Sequence, residues 1–351
     1  MSIKEKLGKA INSAAGLEID KFMEIILSSQ KDSYYRSKNP IGEDSDFITA
    51  PEISQMFGEM VGIWAIDNWN KLGKPSNLNL VEFGAGRGSL LKAFLKMAKI
   101  DPDFLKALSI YIIDIGEELI KIQKDALKEY SNISWIKSIK EVPNRETLVI
   151  ANEFFDALPV KQYIKVNGKL YERIIIKKGD ELAFSAKEIS NKKIDKHTNF
   201  SDNSIFEESP ISQKYIADIS SFIAKNRGSA LIIDYGYDID PKSRGNDEYK
   251  DTLQAIKRHK YVSVFDYLGE ADLTCQVDFN ALKAEAKKQD IEAFGTITQA
   301  NFLLSHGIDI RLQNLQKLNP NLSHILAKQY HRLVAPNEMG NLFKALILHK
   351  L

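Results

Sequence analysis

Two hydrophobic periods alternate along this chain. Up to about residue 77 apolar residues recur at helical spacing: Ile19, Phe22, Met23 and Ile26 share one face, and Ile53, Met56, Phe57, Met60, Ile63 and Trp64 form a wide stripe. Between them runs "SKNPIGEDSDFITAP", where Pro40, Gly42 and Pro51 exclude one continuous helix. The stripe is expected to face a core, with a docking or homodimer face as the alternative. From Leu78 the period shortens. "LNLVEF", "SIYIID", "ISWI" and "TLVIA" are short β-rich runs, and the first two are followed by the helical runs "SLLKAFLKMAK" and "GEELIKIQKDALKEY". This alternation predicts an α/β fold, a parallel sheet with helices on both faces.

Further along the pattern is interrupted. "KQYIKVNGKLYERIIIKK" reads as a hairpin turning at Asn167-Gly168. A polar stretch to about Ser209 precedes the helix "ISQKYIADISSFIAKNRG", with Gly228 as its glycine C-cap, and the strand "SALIIDYGY". "DIEAFGTITQ" and "LFKALILHK" suit an antiparallel pair at the edge of the sheet. The expected organisation is an N-terminal helical region, 1–77, then one domain, 78–351, with insertions at about 160–209 and 240–279.

Composition narrows the function classes. The 351 residues carry 48 Lys+Arg against 47 Asp+Glu, a net charge of +1, so no global field draws the chain to nucleic acid or an anionic membrane. No run approaches the roughly 20 apolar residues of a membrane span. The N-terminus lacks an apolar signal core, and Glu5, Glu18 and Asp20 make it too acidic for an organelle transit peptide. The single cysteine, Cys275, cannot form an internal disulfide, and no Cys/His cluster has zinc spacing. A reducing compartment without a structural metal is expected, with Cys275 as a small core residue. The six histidines form no catalytic constellation.

Chemistry enters with "VEFGAGRGSL". Gly84, Ala85, Gly86 and Gly88 lie between a strand and a helix, where backbone amides can approach a ligand at the helix N-terminus. A dinucleotide fingerprint would need glycine or alanine where Ser89 stands, and a phosphate P-loop would end in Gly-Lys-Ser/Thr rather than Gly88-Ser-Leu. Glu82, two residues before the first glycine, would repel a pyrophosphate but suits an amino group and a sulfonium. S-adenosyl-L-methionine carries both. Asp114 ends the next strand, where a carboxylate can accept hydrogen bonds from ribose hydroxyls. The competing readings are a nicotinamide-dependent oxidoreductase and plain tight turns with solvated acids.

The fourth strand runs into "ANEFFDALPV". Base-amine methyltransferases place Asn/Asp-Pro-Pro-aromatic there, whereas Asn152 is followed by Glu-Phe and no proline comes before Pro159. Two carboxylates, Glu153 and Asp156, suit a planar cation instead. A guanidinium offers five N–H donors in a fixed fork and pairs with carboxylate. With an arginine pKa above about 12, its proton should leave only as the new bond forms. Glu153 is read as a guanidinium clamp and Asp156 as its support or second clamp; Asn152 is placed on the cofactor side. For Asp156 the bland alternative is a cap on a helix beginning "ALPV"; Phe154 and Phe155 are expected in the core.

Taken with "YYRSKNPIGEDSDFITAPEISQMFGE", "LIIDYGY", "GEADLTCQVDF", "TITQANFLL" and "EMGNLFKALIL", these motifs resemble the MidA-like methyltransferases, which include a mitochondrial complex I assembly factor. The resemblance implies a Rossmann-like class I methyltransferase fold and S-adenosyl-L-methionine-dependent methylation of a protein arginine. It implies a respiratory complex I subunit as substrate in mitochondrial members, and a matrix or bacterial cytoplasmic location. Gly84, Gly86 and Gly88 match the family's cofactor loop, and Glu153 and Asp156 its acidic loop. Thr49, Pro51, Glu52 and Gln55 match an N-terminal motif that closes over the cofactor. Two positions depart: Asp114 stands where Glu is common, and Cys275-Gln276 where the family has Ala-His. The second departure keeps open a catalytically silent assembly factor. Asp234 and Asp278 are read as a strand-end acid and a helix cap.

Overall fold

The β-rich runs pair into one sheet because each is predominantly apolar rather than strictly alternating, a composition that fits strands covered on both faces. The computed structural model describes residues 2–13, 16–28, 33–37, 48–189, 201–240, 243–245 and 249–351; most of the irregular stretch before Pro51 lies outside them. The seven main strands of the central sheet are β1 (Leu78–Phe83), β2 (Leu108–Ile113), β3 (Ile133–Ile136), β4 (Thr147–Asn152), β5 (Gly228–Tyr237), β6 (Glu292–Thr298) and β7 (Phe343–Lys350). Their order is β6-β7-β5-β4-β1-β2-β3. The first five run parallel. β7 is antiparallel to both β5 and β6, the edge pair expected from the C-terminal sequence. From β1 the chain winds outward to β3, then returns to β4 on the other side. The crevice between the carboxyl ends of β1 and β4 is therefore the topological switch point, where such sheets bind ligands.

The Ile53-to-Trp64 stripe faces this sheet. Met56, Phe57, Met60 and Trp64 on the helix Gln55–Lys71 are buried with Phe94 and Leu91 of the helix Ser89–Ala98. The two helices approach so closely that a β-carbon on Gly58 would stand 2.6 Å from the Leu90 carbonyl oxygen. Burial, rather than a dimer face, accounts for the stripe. On the opposite face the helices Pro210–Asn226 and Phe279–Lys287 bury Ile216, Ile219 and Phe279 against Val149 and Ile232.

The hairpin Lys161–Val166/Lys169–Lys178 turns at Asn167 and Gly168, with φ of 50° and 75°, the pair of positive values a tight two-residue turn requires. It belongs to a five-stranded antiparallel sheet with Leu17–Glu18, Glu181–Glu188 and Ile205–Glu208. The strands Gln254–Lys257, Lys260–Val262 and Asp272–Thr274 make a smaller one. The N-terminal helix Ile19–Leu27 buries Phe22, Met23 and Ile26 with Ile175, Leu273 and Cys275 of these insertions, which places Cys275 in a core as expected.

One capping assignment is corrected. The helix Pro210–Asn226 ends at Arg227, itself at φ +64°, and Gly228 is the first residue of β5. A β-carbon on Gly228 would meet the Thr147 carbonyl oxygen at 1.9 Å, so this glycine permits close approach of β5 to β4 rather than capping the helix.

Candidate functional site

At the carboxyl ends of β1, β2 and β4 lies a cavity of about 810 Å³, lined by Gly84, Gly86, Asp114, Glu153, Phe154 and Asp156 from the central fold. The N-terminal segments contribute Asp20, Glu24, Tyr35 and Thr49 to its walls, and the small insertion sheet contributes Asp272. Elements far apart in sequence thus close one chamber.

The glycine turn forms as its sequence requires. Gly84, Gly86 and Gly88 have φ of 64°, 54° and 83°, values costly for any other residue type. A β-carbon on Gly84 would also stand 3.0 Å from Phe154 Cδ2. Phe154 thus lines the cavity, whereas Phe155 is buried in the core as expected. Ala85 and Gly88 shape the turn from behind: the Gly88 amide donates to the Ala85 carbonyl at 2.7 Å, and neither residue is on the cavity wall.

Glu82 lies in β1 beneath the wall rather than on it, 2 % exposed, and its Oε2 has no hydrogen-bond partner among the described residues. Burial, reinforced by the charge of Asp114, pushes its carboxyl up to about 8. A buried acid without a partner calls for a cation near it. Asp114 lines the cavity; its Oδ1 accepts from the Gly116 amide at 2.9 Å and its Oδ2 from Gln123 Nε2 at 2.7 Å. Burial raises the Asp114 pKa in spite of these bonds.

Gln123 did not emerge from the sequence. Its Nε2 also donates to the Gly86 carbonyl at 2.8 Å, and its Oε1 accepts from Trp135 Nε1 at 2.8 Å. One fully buried amide therefore ties the glycine turn to the acid of the next strand. A glutamine inside "GEELIKIQKDALKEY" carries no signal of this role, because its partners are tertiary.

The acidic loop opens with Glu153 in the left-handed region, φ 50°. Its Oε1 accepts from the Ala50 amide at 3.0 Å and from Asn152 Nδ2 at 3.2 Å. Asn152 itself does not line the cavity, and its Oδ1 has no partner among the described residues. Burial pushes Glu153 up to about 8, with a smaller contribution from Asp156. Asp156 starts no helix: residues 153–160 are turn and irregular chain. The amides of Phe155 and Asp156 instead donate to Asp234 Oδ2, at 2.9 and 3.2 Å, so Asp234 on β5 holds the loop in shape. Asp156 is 7 % exposed, its Oδ1 unpartnered among the described residues, and burial followed by the charge of Asp272 pushes it up to about 8.

The N-terminal motif divides its tasks. Thr49 stands on the wall at the N-cap of Ala50–Ile53. Glu52 accepts from Ser89 Oγ at 2.5 Å, fastening that segment to the helix that leaves the glycine turn. Gln55 points elsewhere: its Nε2 donates to Glu59 Oε1 at 3.2 Å, beside the Glu59–Arg311 ion pair. Asp278 caps the helix Phe279–Lys287 through the Ala281 amide and pairs with Arg244. Gln276 is off the cavity wall, its amide donating to Thr252 Oγ1 at 2.9 Å. Tyr35 and Asp272, neither singled out by the sequence, also stand on the wall, and both lie in motifs that carry the resemblance.

Comparison with known proteins agrees with this geometry. A family model described as "Putative S-adenosyl-L-methionine-dependent methyltransferase" matches residues 60–297. Protein arginine methyltransferase NDUFAF7, mitochondrial, of Danio rerio is 32% identical over 381 residues, covering 98% of this chain and 86% of that protein. The Homo sapiens protein of the same name is 31% identical over 372 residues, covering 97% and 82%. The fold superposes with a TM-score of 0.89 on a Burkholderia thailandensis structure described as a "likely methyl transferase" bound to S-adenosyl-homocysteine, 24% identical, covering 99% of this chain and 92% of the other. The sheet order, the glycine turn and these matches lead to one conclusion: the chain belongs to this family of S-adenosyl-L-methionine-dependent methyltransferases, with S-adenosyl-L-methionine as its cofactor.

Proposed function

We propose that this methyltransferase modifies an arginine guanidinium of a protein substrate, with Glu153 and Asp156 as the acids that receive it. The observation that carries the reading is the pair itself: two carboxylates, Asp156 buried and Glu153 half-buried, on one cavity wall beside the glycine turn, with no cationic side chain bonded to either among the described residues. The names of the relatives point the same way.

The residues fit the cofactor. Gly84 and Gly86 leave the backbone open to it, Asp114 offers carboxylate oxygens beside the turn, and Glu82, its Oε2 buried without a partner among the described residues, would ionise behind it when a cation binds. When bound, S-adenosyl-L-methionine supplies an electrophilic methyl on a sulfonium. Thr49, Glu52 and Asn152 act around these groups, through the wall, the Ser89 bond and the Glu153 bond respectively.

The protein's part in the reaction is positioning and electrostatics. Glu153 Oε2 accepts a guanidinium N–H and turns one nitrogen toward the cofactor. The acids draw the cation out of water, which costs little here because they are themselves poorly compensated in the free protein. Once the nitrogen has formed its new bond, its pKa falls and a nearby carboxylate takes the proton. The MidA-like resemblance makes a respiratory complex I subunit the first substrate to examine, in the mitochondrial matrix or a bacterial cytoplasm.

The test is incubation of the purified protein with methyl-labelled S-adenosyl-L-methionine and extract from its source cells, followed by digestion and location of the label. Label on arginine, absent with Glu153→Gln, is expected. Label on lysine or on a non-protein acceptor would overturn the assignment.

A further inference from the structure

The cavity wall carries two aromatic rings, Phe154 and Tyr215, whose centroids lie 5.1 Å apart at an interplanar angle of 85°. Phe154 also packs at 5.4 Å against each of Phe83 and Phe155, which are buried in the core. A ring kept for stability alone is expected to be buried as those two are. Phe154 and Tyr215 are half-buried instead, held in place from the core side with part of their surface left to the cavity.

Both rings belong to the side of the site that holds the acidic loop. In the sheet β1 stands between β2, beyond whose end lies Asp114, and β4, beyond whose end lies Glu153. Phe154 follows Glu153 directly. Ser209 Oγ donates to the Pro159 carbonyl at 2.8 Å, which ties the start of the helix Pro210–Asn226, and with it Tyr215, to the end of that same loop.

Glu153 by itself leaves a guanidinium free to turn. Its Oε1 is engaged by the Ala50 amide and Asn152 Nδ2, so Oε2 is the open acceptor, and one N–H···O bond does not set the plane of the group. A guanidinium is weakly hydrated and stacks on aromatic faces, whereas an ammonium is compact and strongly hydrated. The attraction of a cation to a ring is larger where water is excluded. The one cation over either ring among the described residues, Lys214 Nζ, stands 6.0 Å from the Tyr215 centroid, at the limit of such a contact, and is held by Asp218 at 2.8 Å.

We infer that Phe154 and Tyr215 form the aromatic face of the acceptor subsite, on which the substrate guanidinium stacks while Glu153 Oε2 fixes its edge. This rests on the arginine reading above and deepens it. The carboxylate sets one N–H direction and the rings set the plane, so together they determine which nitrogen is turned toward the cofactor. The face also favours arginine over lysine, since a planar cation lays its whole surface on a ring and an ammonium meets it as a point charge.

The experiment titrates the full-length protein, with S-adenosylhomocysteine present, against N-acetylarginine amide and N-acetyllysine amide. Wild type, Phe154→Leu, Tyr215→Leu and Tyr215→Phe are compared, and S-adenosylhomocysteine affinity is measured separately in each. Arginine-amide binding is expected to weaken about tenfold in Phe154→Leu and about threefold or more in Tyr215→Leu, and to stay within about twofold in Tyr215→Phe, which keeps the ring. Lysine-amide binding should move less, and S-adenosylhomocysteine affinity should stay within about twofold. Proton NMR supplies a readout that a merely structural role would not move: the δ-methylene signals of bound arginine amide shift upfield under the ring current in wild type and lose that shift in Phe154→Leu. Unchanged arginine binding in folded Phe154→Leu and Tyr215→Leu proteins would overturn the inference. So would an equal loss for both amides, a loss in Tyr215→Phe as large as in Tyr215→Leu, which would make the contact one of the hydroxyl, or a parallel loss of S-adenosylhomocysteine, which would place the rings in the cofactor site. If Phe154→Leu does not fold, Tyr215→Leu decides by the same readouts. Wild type that binds neither amide would remove the arginine reading itself, and this face with it, a result distinct from selective failure of the variants.

Discussion

The main-chain amide of Ala50 donates to Glu153 Oε1 at 3.0 Å, joining residues 103 positions apart. Ala50 is the first residue of the short helix Ala50–Ile53, so its N–H has no intrahelical acceptor, and the N-cap Thr49 makes no side-chain cap bond. The carboxylate of Glu153 takes that place. The proposed clamp is therefore also a structural tie between the N-terminal segment and the loop after β4.

That double role makes Glu153→Gln an informative substitution. Glutamine keeps a carbonyl oxygen for the Ala50 amide and loses the charge. We expect methyl transfer to fall about 100-fold or more, the scale of losing one preorganised electrostatic group, with S-adenosyl-L-methionine affinity within about threefold of wild type. Binding by calorimetry beside single-turnover transfer separates the two. Full transfer in this variant would remove the clamp.

Glu153→Gly addresses the backbone. The wild-type residue sits at φ 50°, a conformation that costs an L-residue about 1–2 kcal/mol and glycine nothing. The change also deletes the bonds from the Ala50 amide and Asn152 Nδ2, a loss of about 1 kcal/mol each. The terms nearly cancel, so denaturant unfolding at neutral pH should give a stability close to that of wild type for an inactive protein. A loss of several kcal/mol would mean that Glu153 is held for stability rather than for its chemistry.

The raised acids fix the sign of a pH effect. Glu82, Glu153 and Asp156 are pushed up to about 8 from the ordinary carboxylic-acid range of about 4, chiefly by burial. Between those limits the folded protein holds protons that the unfolded chain has released, so stability is greatest toward the acid side of the window and falls as pH rises toward 8. Thermal midpoints of the ligand-free protein should decline from pH 6 to pH 8, and Glu153→Gln should flatten the decline. An unchanged midpoint across this range would show that these carboxyls are already ionised, and hence already paired.

Much of this was legible in the sequence, for identifiable reasons. Glycine at three positive-φ positions, a largely apolar strand with Glu82 one residue before its end, and an acid just past the end of the next strand are local requirements, and local requirements leave local signatures. The edge pair β6 and β7 was legible for the same reason. What escaped depends on tertiary distance: Tyr35 reaches Asp272 across 237 positions, and Arg311 reaches buried Glu59 across 252. Gln55 departs from its motif neighbours, of which Thr49 lines the cavity and Glu52 bonds Ser89, because a fresh helix starting after Ser54 turns it toward Glu59. Gly228 was misread because a helix end and a close strand approach both favour glycine, and only the 1.9 Å clash with Thr147 separates them.

The bridge made by Gln123 yields the last prediction. Its amide donates to the Gly86 carbonyl and to Asp114 Oδ2 and accepts from Trp135 Nε1, with no exposure to solvent. Methionine has nearly the same length and fills the space, so Gln123→Met should preserve packing and delete the three bonds together. Left half-buried without Gln123, the Gly86 carbonyl and the Trp135 N–H each carry part of a desolvation cost, and Asp114 loses a donor that orients it. The turn and the acid should then move independently. S-adenosyl-L-methionine, S-adenosylhomocysteine and adenosine should all bind about tenfold more weakly, because the defect lies between the glycine turn and Asp114, the acid proposed for the ribose, rather than at the methyl group. Trp135→Phe removes one bond of the three and should cost less. Calorimetric titration of the three ligands decides the matter: a loss confined to S-adenosyl-L-methionine would move Gln123's role to the sulfonium end, and no loss at all would leave Asp114 positioned by its backbone bonds.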